Sequence, residues 1–155
     1  MASPTQPDPS PLLSHVQSVC TTQKSNSPIY ALLLNDITIT SAVEGTITAT
    51  LPISSTHTNS KGGLHGTLTA CLVDWAAGMA IASYGGTYTG ISTDIHISYQ
   101  SSAKEGDVLQ VEGRVTKMGG TLAFVAVEIS KDGGEGKGRV VVATGLHTKY
   151  VKQRG

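Results

Sequence analysis

The sequence predicts an α+β fold in which one long, buried helix is wrapped by a continuous antiparallel β-sheet. Three observations lead there. Residues Leu68 to Ser83 form a nearly unbroken apolar run rich in alanine, too long for an ordinary strand and built of good helix formers. The segments before and after it alternate β-branched and polar residues with the period of two that marks strands. The helical run occurs once, so burying it against a single sheet is the simplest architecture. A chain of 155 residues suits one domain with a substantial core.

Met1 to Pro11 is rich in Ser and Pro. It has no basic segment followed by an apolar one, as a secretory signal has, and no arginine, so it reads as a flexible tail. Pro11 to Val19 predicts a short helix with Ser10 as N-cap and Pro11 at its first position. Leu12, Leu13 and Val16 share its face. Thr21 to Pro28 is polar and loop-like. Residues 1–28 are therefore expected to be a tail with a short helix, and 29–152 the folded domain. From Tyr30 to Leu51 the chain reads as strand: Ile37 and Ile39 alternate with Thr38 and Thr40, and Ile47 lies between Thr46 and Thr48. Glu44-Gly45 marks a hairpin turn or a bulge. Ser54 to Gly63 is a loop, and the long helix starts near Gly66 or Thr67. It is apolar all round, so it is expected to be buried on most sides. Four strands follow: Gly90 to Tyr99, Val108 to Lys117, Leu122 to Ser130 and Val140 to Tyr150. Turn signals precede the last three, at Glu105-Gly106-Asp107, Gly119-Gly120 and Asp132 to Gly138.

Composition excludes several function classes. Lys plus Arg equals Asp plus Glu at 11 each, which argues against a general nucleic-acid binder, whose affinity rests on surplus basic charge. No apolar stretch reaches the roughly 18 residues of a membrane span. Cys20 and Cys71 have no metal-like spacing. Cys71 reads as a small buried hydrophobe, no disulfide framework is expected, and a reducing, intracellular compartment fits.

Asp74 is the only charged side chain between Gly66 and Ser83. A carboxylate on an apolar helix is costly unless something stabilises it or uses it. It either reaches solvent, caps a loop, or is a functional acid. Just before the helix stands Asn59-Ser-Lys-Gly-Gly-Leu-His65-Gly66. Free backbone N–H groups and the positive end of the helix dipole lie there, an oxyanion site beside which His65 and Asn59 add polar groups. His57, His96 and His147 have no ligand spacing, and surface or sheet positions are expected for them. Asp94, two residues after Ser92, is expected on the same side of its strand, as a structural polar contact rather than a second acid.

These residues carry a resemblance. His65-Gly-Thr-Leu-Thr-Ala-Cys-Leu-Val-Asp74 resembles the HGG-x-x-x-x-L-x-D signature of hotdog-fold acyl-CoA thioesterases of the phenylacetate-degradation type. Gly90 to Asp107 resembles the next block of that family, a strand ending in Y-x-x-P-A-K-x-G-D. Gly119 to Phe124 and Ala143 to Tyr150 are similar to its last two strands. Within the family the sequence is most similar to the eukaryotic thioesterase superfamily member 2 branch, from about Ala31 to Tyr150.

The resemblance implies a hotdog fold and hydrolysis of an acyl-CoA thioester to free acid and CoA. It implies no metal and no cofactor, CoA being part of the substrate. Asp74 matches the catalytic acid, acting as general base on water or as nucleophile. Gly66 matches the oxyanion glycine, Asn59 and Ser92 the residues that position water and carboxylate, and His65 the motif histidine. The CoA mouth would be built from Tyr99, Ser101, Lys104, Lys117, Gly119, Gly120, Thr121 and Tyr150. Trp75 and Met79 would be core or acyl-pocket lining. The site would lie between two subunits, Asn59, His65 and Gly66 from one and Asp74 and Ser92 from its partner, in a homodimer at minimum and a dimer of dimers beyond that. A cytoplasmic or mitochondrial location is implied. Three positions depart from the pattern: Thr67 replaces the second glycine and could cap the helix instead, Ser102 replaces a proline, and Gly120 stands where a lysine is frequent. Two other functions compete: a non-catalytic acyl-CoA sensor, which would lack the acid, and a hotdog enoyl-CoA hydratase, whose paired Asp and His the His65-to-Asp74 arrangement fits poorly.

Overall fold

Ser10 and Pro11 open the first element. The Ser10 hydroxyl accepts from the Leu13 N–H at 3.2 Å, and Pro11 occupies the first turn, where its missing N–H costs nothing. In this computed structural model, which describes residues 9–152, helix α1 spans Pro11–Asn26. It therefore continues past Val19 through the segment read as loop. Val16, Val19 and Cys20 belong to the common core. The tail expectation for Met1 to Asp8 lies outside the described residues.

Pro28 cannot continue α1 and instead starts α2, Pro28–Leu33. Ser27 closes the first helix with its N–H on the Gln23 carbonyl, and its hydroxyl caps the second by accepting from the Tyr30 N–H. The stretch beginning at Tyr30 thus differs from the strand expected of it: its first residues are helix. Strand structure begins only at β1, Thr38–Val43, followed by β2, Thr46–Pro52. A short 3-10 turn at Ser55–His57 leads to α3, Gly66–Ala82, and then come β3, Ile91–Tyr99, β4, Val108–Met118, β5, Leu122–Asp132, and β6, Arg139–Tyr150.

The six strands form one open antiparallel sheet in the order β1-β2-β4-β5-β6-β3. Helix α3 packs across one face, chiefly on β4, β5 and β6. Two glycines permit the close approach. A Cβ on Gly113 would come within 2.7 Å of the Ala76 carbonyl oxygen, and one on Gly145 within 2.7 Å of Val73. Leu72, Trp75 and Met79 are fully buried in the core, each contributing about 1.5–3 kcal/mol of hydrophobic stabilisation. The α+β arrangement predicted from sequence is the one observed.

The helix leaves one stripe uncovered. Thr67, Ala70, Cys71 and Asp74 escape full burial, and their spacing of three and four residues aligns them on one face. Strand β3 closes one edge of the sheet with no fully buried residue along its length. Ile91 and Tyr99 near its two ends are 62% and 59% exposed.

Candidate active site

Asp74 sits on the open stripe of α3 with its side chain 33% exposed. Both carboxylate oxygens are engaged. The Tyr30 hydroxyl donates to Oδ2 at 2.7 Å. Oδ1 accepts from the Ser92 hydroxyl at 3.2 Å and from the Lys149 ammonium at 3.2 Å. His147 Nε2 lies 2.9 Å from the Ser92 hydroxyl and 3.8 Å from Oδ1. Four elements thus converge on one carboxylate: α2, α3, β3 and β6.

Electrostatics fix the charge states. Burial alone would push the Asp74 carboxyl upward. The Lys149 ammonium and the Tyr30 hydrogen bond outweigh it and hold the carboxyl below its usual value, so it is ionised at neutral pH. Lys149 is only 4% exposed, and a buried ammonium is tolerable here because Asp74 faces it. His147 is 1% exposed. Burial, reinforced by the Lys149 charge, lowers its pKa to about 4, so the imidazole is neutral and ion-pair attraction to Asp74 is not what holds it. Its Nδ1 faces the Val73 carbonyl without a hydrogen bond of good geometry. Since the Ser92 hydrogen is committed to Asp74, we assign the imidazole proton to Nε2. A chain of donors then runs from His147 through Ser92 to Oδ1. Cys71, one turn before Asp74, has its thiol pushed up to about 11 by burial and by the Asp74 charge. It is no thiolate at neutral pH and so no nucleophile of the ordinary kind.

The second cluster is built at the start of α3. His65 is the N-cap: its Nδ1 accepts from the Thr67 N–H at 3.0 Å, so the cap is His65 and not Thr67. The His65 N–H donates to the His57 carbonyl and the Leu64 N–H to the Ala103 carbonyl, both at 2.8 Å. Buried His57 accepts from the Ser54 N–H and bonds the Leu33 carbonyl at 2.8 Å, tying this loop to α2. Asn59 Oδ1 accepts from the N–H groups of Lys61 and Gly63, so its carbonyl pins the loop and its Nδ2 remains available as a donor. Gly66 is the first residue of the helix, and among the described residues no acceptor takes its N–H. The Tyr99 hydroxyl donates to the Gly66 carbonyl at 3.2 Å.

Sequence reasoning named Asp74 and Ser92, which the structure brings together, and Asn59, His65 and Gly66, which it also brings together. It does not join the two groups within one chain. Eight residues of helix separate Gly66 from Asp74, a rise of about 12 Å. The residues named for CoA divide likewise. Tyr99, Ser101 and Lys104 follow the end of β3, where Lys104 pairs with Gly63. Lys117, Gly119, Gly120 and Thr121 turn from β4 to β5 beside Tyr150, which pairs with Ile91 and Leu122 at the start of β3 and β5. Ile91 and Tyr99 are about 26 Å apart along the strand. Trp75 and Met79 are core. Cys71 is half-buried rather than buried, and Cys20 is the buried cysteine. Grooves of about 450 and 470 Å³ lie over the sheet strands, and neither is lined by Asp74 or Gly66.

Asp94 corrects the expectation from alternation. A bulge between Ser92 and Asp94 resets the register: Ser92 lies opposite Lys149, but Asp94 lies opposite Thr148. Adjacent residues of β6 face opposite ways, so Asp94 points away from Ser92's side. Three site residues were missed, namely Tyr30, His147 and Lys149. For the last two a signal existed. Ala143, Gly145, His147 and Lys149 share one parity in β6, so two polar side chains had to face the helix with the small ones. Among the described residues, no three His, Cys, Asp or Glu side chains gather as a metal site, and no helix is long and apolar enough to cross a membrane.

Known proteins resemble this chain in sequence and in fold. Residues 61–138 match the family model of the thioesterase superfamily. The chain is 38% identical over 119 residues to human acyl-coenzyme A thioesterase 13, covering 77% of this chain and 82% of that protein. The crystal structure of zebrafish thioesterase superfamily member 2 superposes with a TM-score of 0.79 at 32% identity, over 90% of this chain and 97% of that one. A Streptococcus mutans protein solved bound to acetyl-CoA superposes with a TM-score of 0.66 at 25% identity, over 77% and 90%. A helix carrying one engaged carboxylate, laid on an open six-stranded antiparallel sheet, together with these matches, leads to one conclusion: the chain belongs to the thioesterase superfamily and has its hotdog fold.

Proposed function

We propose that this chain hydrolyses acyl-CoA to a free acid and CoA, at a site completed across a homodimer. The observation that carries the reading is Asp74: an ionised carboxylate, held at both oxygens, on the one open stripe of an otherwise buried apolar helix. The human relative's name and the acetyl-CoA bound to the Streptococcus mutans protein support acyl-CoA as the substrate class.

In this reading the Gly66 N–H receives the thioester oxygen as it becomes negative, helped by the positive end of α3. His65, the N-cap, adjoins that N–H, and Asn59 lies in the loop that leads to it. Asp74 takes a proton from water as the water oxygen bonds to the acyl carbon, or bonds to that carbon itself and is released by water afterwards. Ser92 keeps the carboxylate oriented. The C–S bond breaks as the tetrahedral centre collapses, and the thiolate of CoA leaves with the low basicity of an ordinary thiol. In the first route the thiolate takes the proton that Asp74 received from water. In the second it takes one from the water that opens the acyl-Asp74 anhydride, so Asp74 ends as the carboxylate in both. The low pKa of Asp74 keeps it ionised across neutral pH at some cost in basicity.

The dimer follows from where the two halves lie. Ser92, with Asp74 of α3 beside it, is at the beginning of β3, and Gly66 touches Tyr99 at its end. Because β3 is an exposed edge, it is a template for a further strand. Antiparallel pairing with the β3 of a second copy about a two-fold axis sets the beginning of one strand beside the end of the other. Asp74 of one subunit then meets Gly66 of its partner, and Lys104 of one meets Lys117 of the other at a common CoA mouth. A thiol-release assay with an Ellman-type reagent on a panel of acyl-CoAs tests the reading. Rapid release is expected. Tight acyl-CoA binding without release would mark a sensor instead.

A further inference from the structure

We propose that Tyr30 is a positioning residue for this reaction: its phenol, at hydrogen-bond distance from Asp74 Oδ2, fixes the plane of the carboxylate and decides which lone pair faces the open stripe. The proposal rests on the reading of Asp74 as the reactive carboxylate.

A carboxylate offers about four lone-pair positions. Oδ1 spends its share on Ser92 and Lys149, at 3.2 Å each. Oδ2 receives one donor, Tyr30, at 2.7 Å, the shortest contact the carboxylate makes. The remaining lone pair on Oδ2 is the one left to act on water or on an acyl carbon. The Oδ1 contacts come from β3 and β6, and the Oδ2 contact comes from α2, so the carboxylate is gripped from separate elements and its rotation is blocked. Without Tyr30 the Oδ1 contacts remain but the carboxylate can pivot about them.

The local sequence is built to deliver that hydroxyl. Ser27 and Pro28 break the chain out of α1 and restart it as a six-residue helix, whose end is tied through His57 to the loop before α3. The Tyr30 ring is packed against the core while Ile29 and Leu32 stay exposed. The phenol also stays a donor. Burial, then the charge of Asp74, pushes its pKa far up, so it does not titrate in the working range. In turn its hydrogen bond helps depress the Asp74 pKa. The other groups facing Asp74 are Cys71 on α3, Ser92 on β3, and His147 and Lys149 on β6. The Asp94 charge acts on His147 from β3. None of these changes in Tyr30→Phe, which keeps the ring.

The test compares full-length wild type, Tyr30→Phe and Asp74→Asn. Thermal melting establishes that each is folded. Steady-state hydrolysis across pH and a ¹³C titration of the Asp74 carboxyl are then read. In Tyr30→Phe, kcat is expected to fall roughly tenfold, the scale of one hydrogen bond to a charged group, with KM within about twofold. Losing a donor to the carboxylate raises its pKa. Activity needs the ionised form, so the acidic limb of the rate profile should move to higher pH together with the ¹³C titration. If Asp74→Asn is inactive while Tyr30→Phe keeps wild-type kcat and limb, the Tyr30 proposal fails and the Asp74 reading stands. If Asp74→Asn hydrolyses at near wild-type rate, both fail. A loss confined to melting temperature, with kinetics unchanged, also overturns the proposal.

Discussion

Replacing Asp74 with asparagine separates chemistry from stability in a way the surrounding contacts make calculable. The amide is isosteric. Its oxygen can still accept from Ser92 and Lys149, and its NH₂ can donate to the Tyr30 oxygen. What disappears is the negative charge. Lys149, 4% exposed, loses its counter-ion. Breaking a fully buried pair costs about 3–5 kcal/mol, but Asp74 is one-third exposed and Lys149 keeps a hydrogen bond to the amide oxygen. A cost of about 1–3 kcal/mol is expected, which lowers Tm by about 4–8 °C at the middle of that range. A domain with about 5–15 kcal/mol of stability stays folded at 25 °C. Hydrolysis falls much further, by about 10²–10⁴-fold, because the amide cannot accept a proton from water. Adding Lys149→Met removes the stranded charge and should recover much of the melting temperature without recovering activity. The assays are calorimetry and thiol release at 25 °C on the same preparations. Near wild-type kcat in folded Asp74→Asn, or activity regained in the double variant, would refute the reasoning.

Two further outcomes follow from the edge strand and the split CoA residues. Ile95→Lys places a charge mid-way along exposed β3, where pairing with a second copy would bury it. Sedimentation should show wild type as a dimer or larger and the variant shifted toward monomer with activity lost; fully active monomers at assay concentration would contradict this. Lys104→Glu with Lys117→Glu should raise KM for acyl-CoA several-fold with kcat nearly unchanged, since each exposed phosphate contact is worth about 0.2–1 kcal/mol and acts on ground and transition states alike. High salt should shrink the difference, and an unchanged KM at low salt would make both lysines ordinary surface charge.

What the sequence revealed and what it hid have distinct physical causes. Helix α3 was legible as one long apolar run rich in alanine, and the four strands after it by their period of two and the turn signals that precede the last three. Asp74 stood out because nothing near it in sequence is charged. Tyr30 did not, because Tyr-Ala-Leu-Leu-Leu runs into a β-branched segment, and only the Ser27-Pro28 pair marks a helix start there. Its role at Asp74 spans 44 positions of sequence, a contact made by tertiary packing alone. His147 carried only the expectation of a surface or sheet position and Lys149 none, and strand parity across β6 is what turns both toward the helix. The bulge at Ser92 and Asp94 inverts a parity argument that is otherwise sound, and no composition signal announces it. Asn59 was legible as polar, but its use as a loop pin depends on backbone geometry. The separation of Gly66 from Asp74, by contrast, follows from helix rise once both are placed on α3.

In the proposed site Asp74 of one subunit works with Gly66 of its partner, and subunit mixing tests that pairing directly. Gly66→Pro deletes the N–H in question at the first helical position, where proline is well tolerated, after a His65 already in extended backbone at φ −74° and ψ 130°. Alone, Gly66→Pro and Asp74→Asn should each be nearly inactive, the former by about 10²–10³-fold. Co-expressed, half of randomly paired dimers are mixed, and each mixed dimer carries one intact site and one doubly altered site. Thiol release should therefore return to about a quarter of the wild-type rate per subunit. A mixture as inactive as its parents would contradict a site shared between subunits.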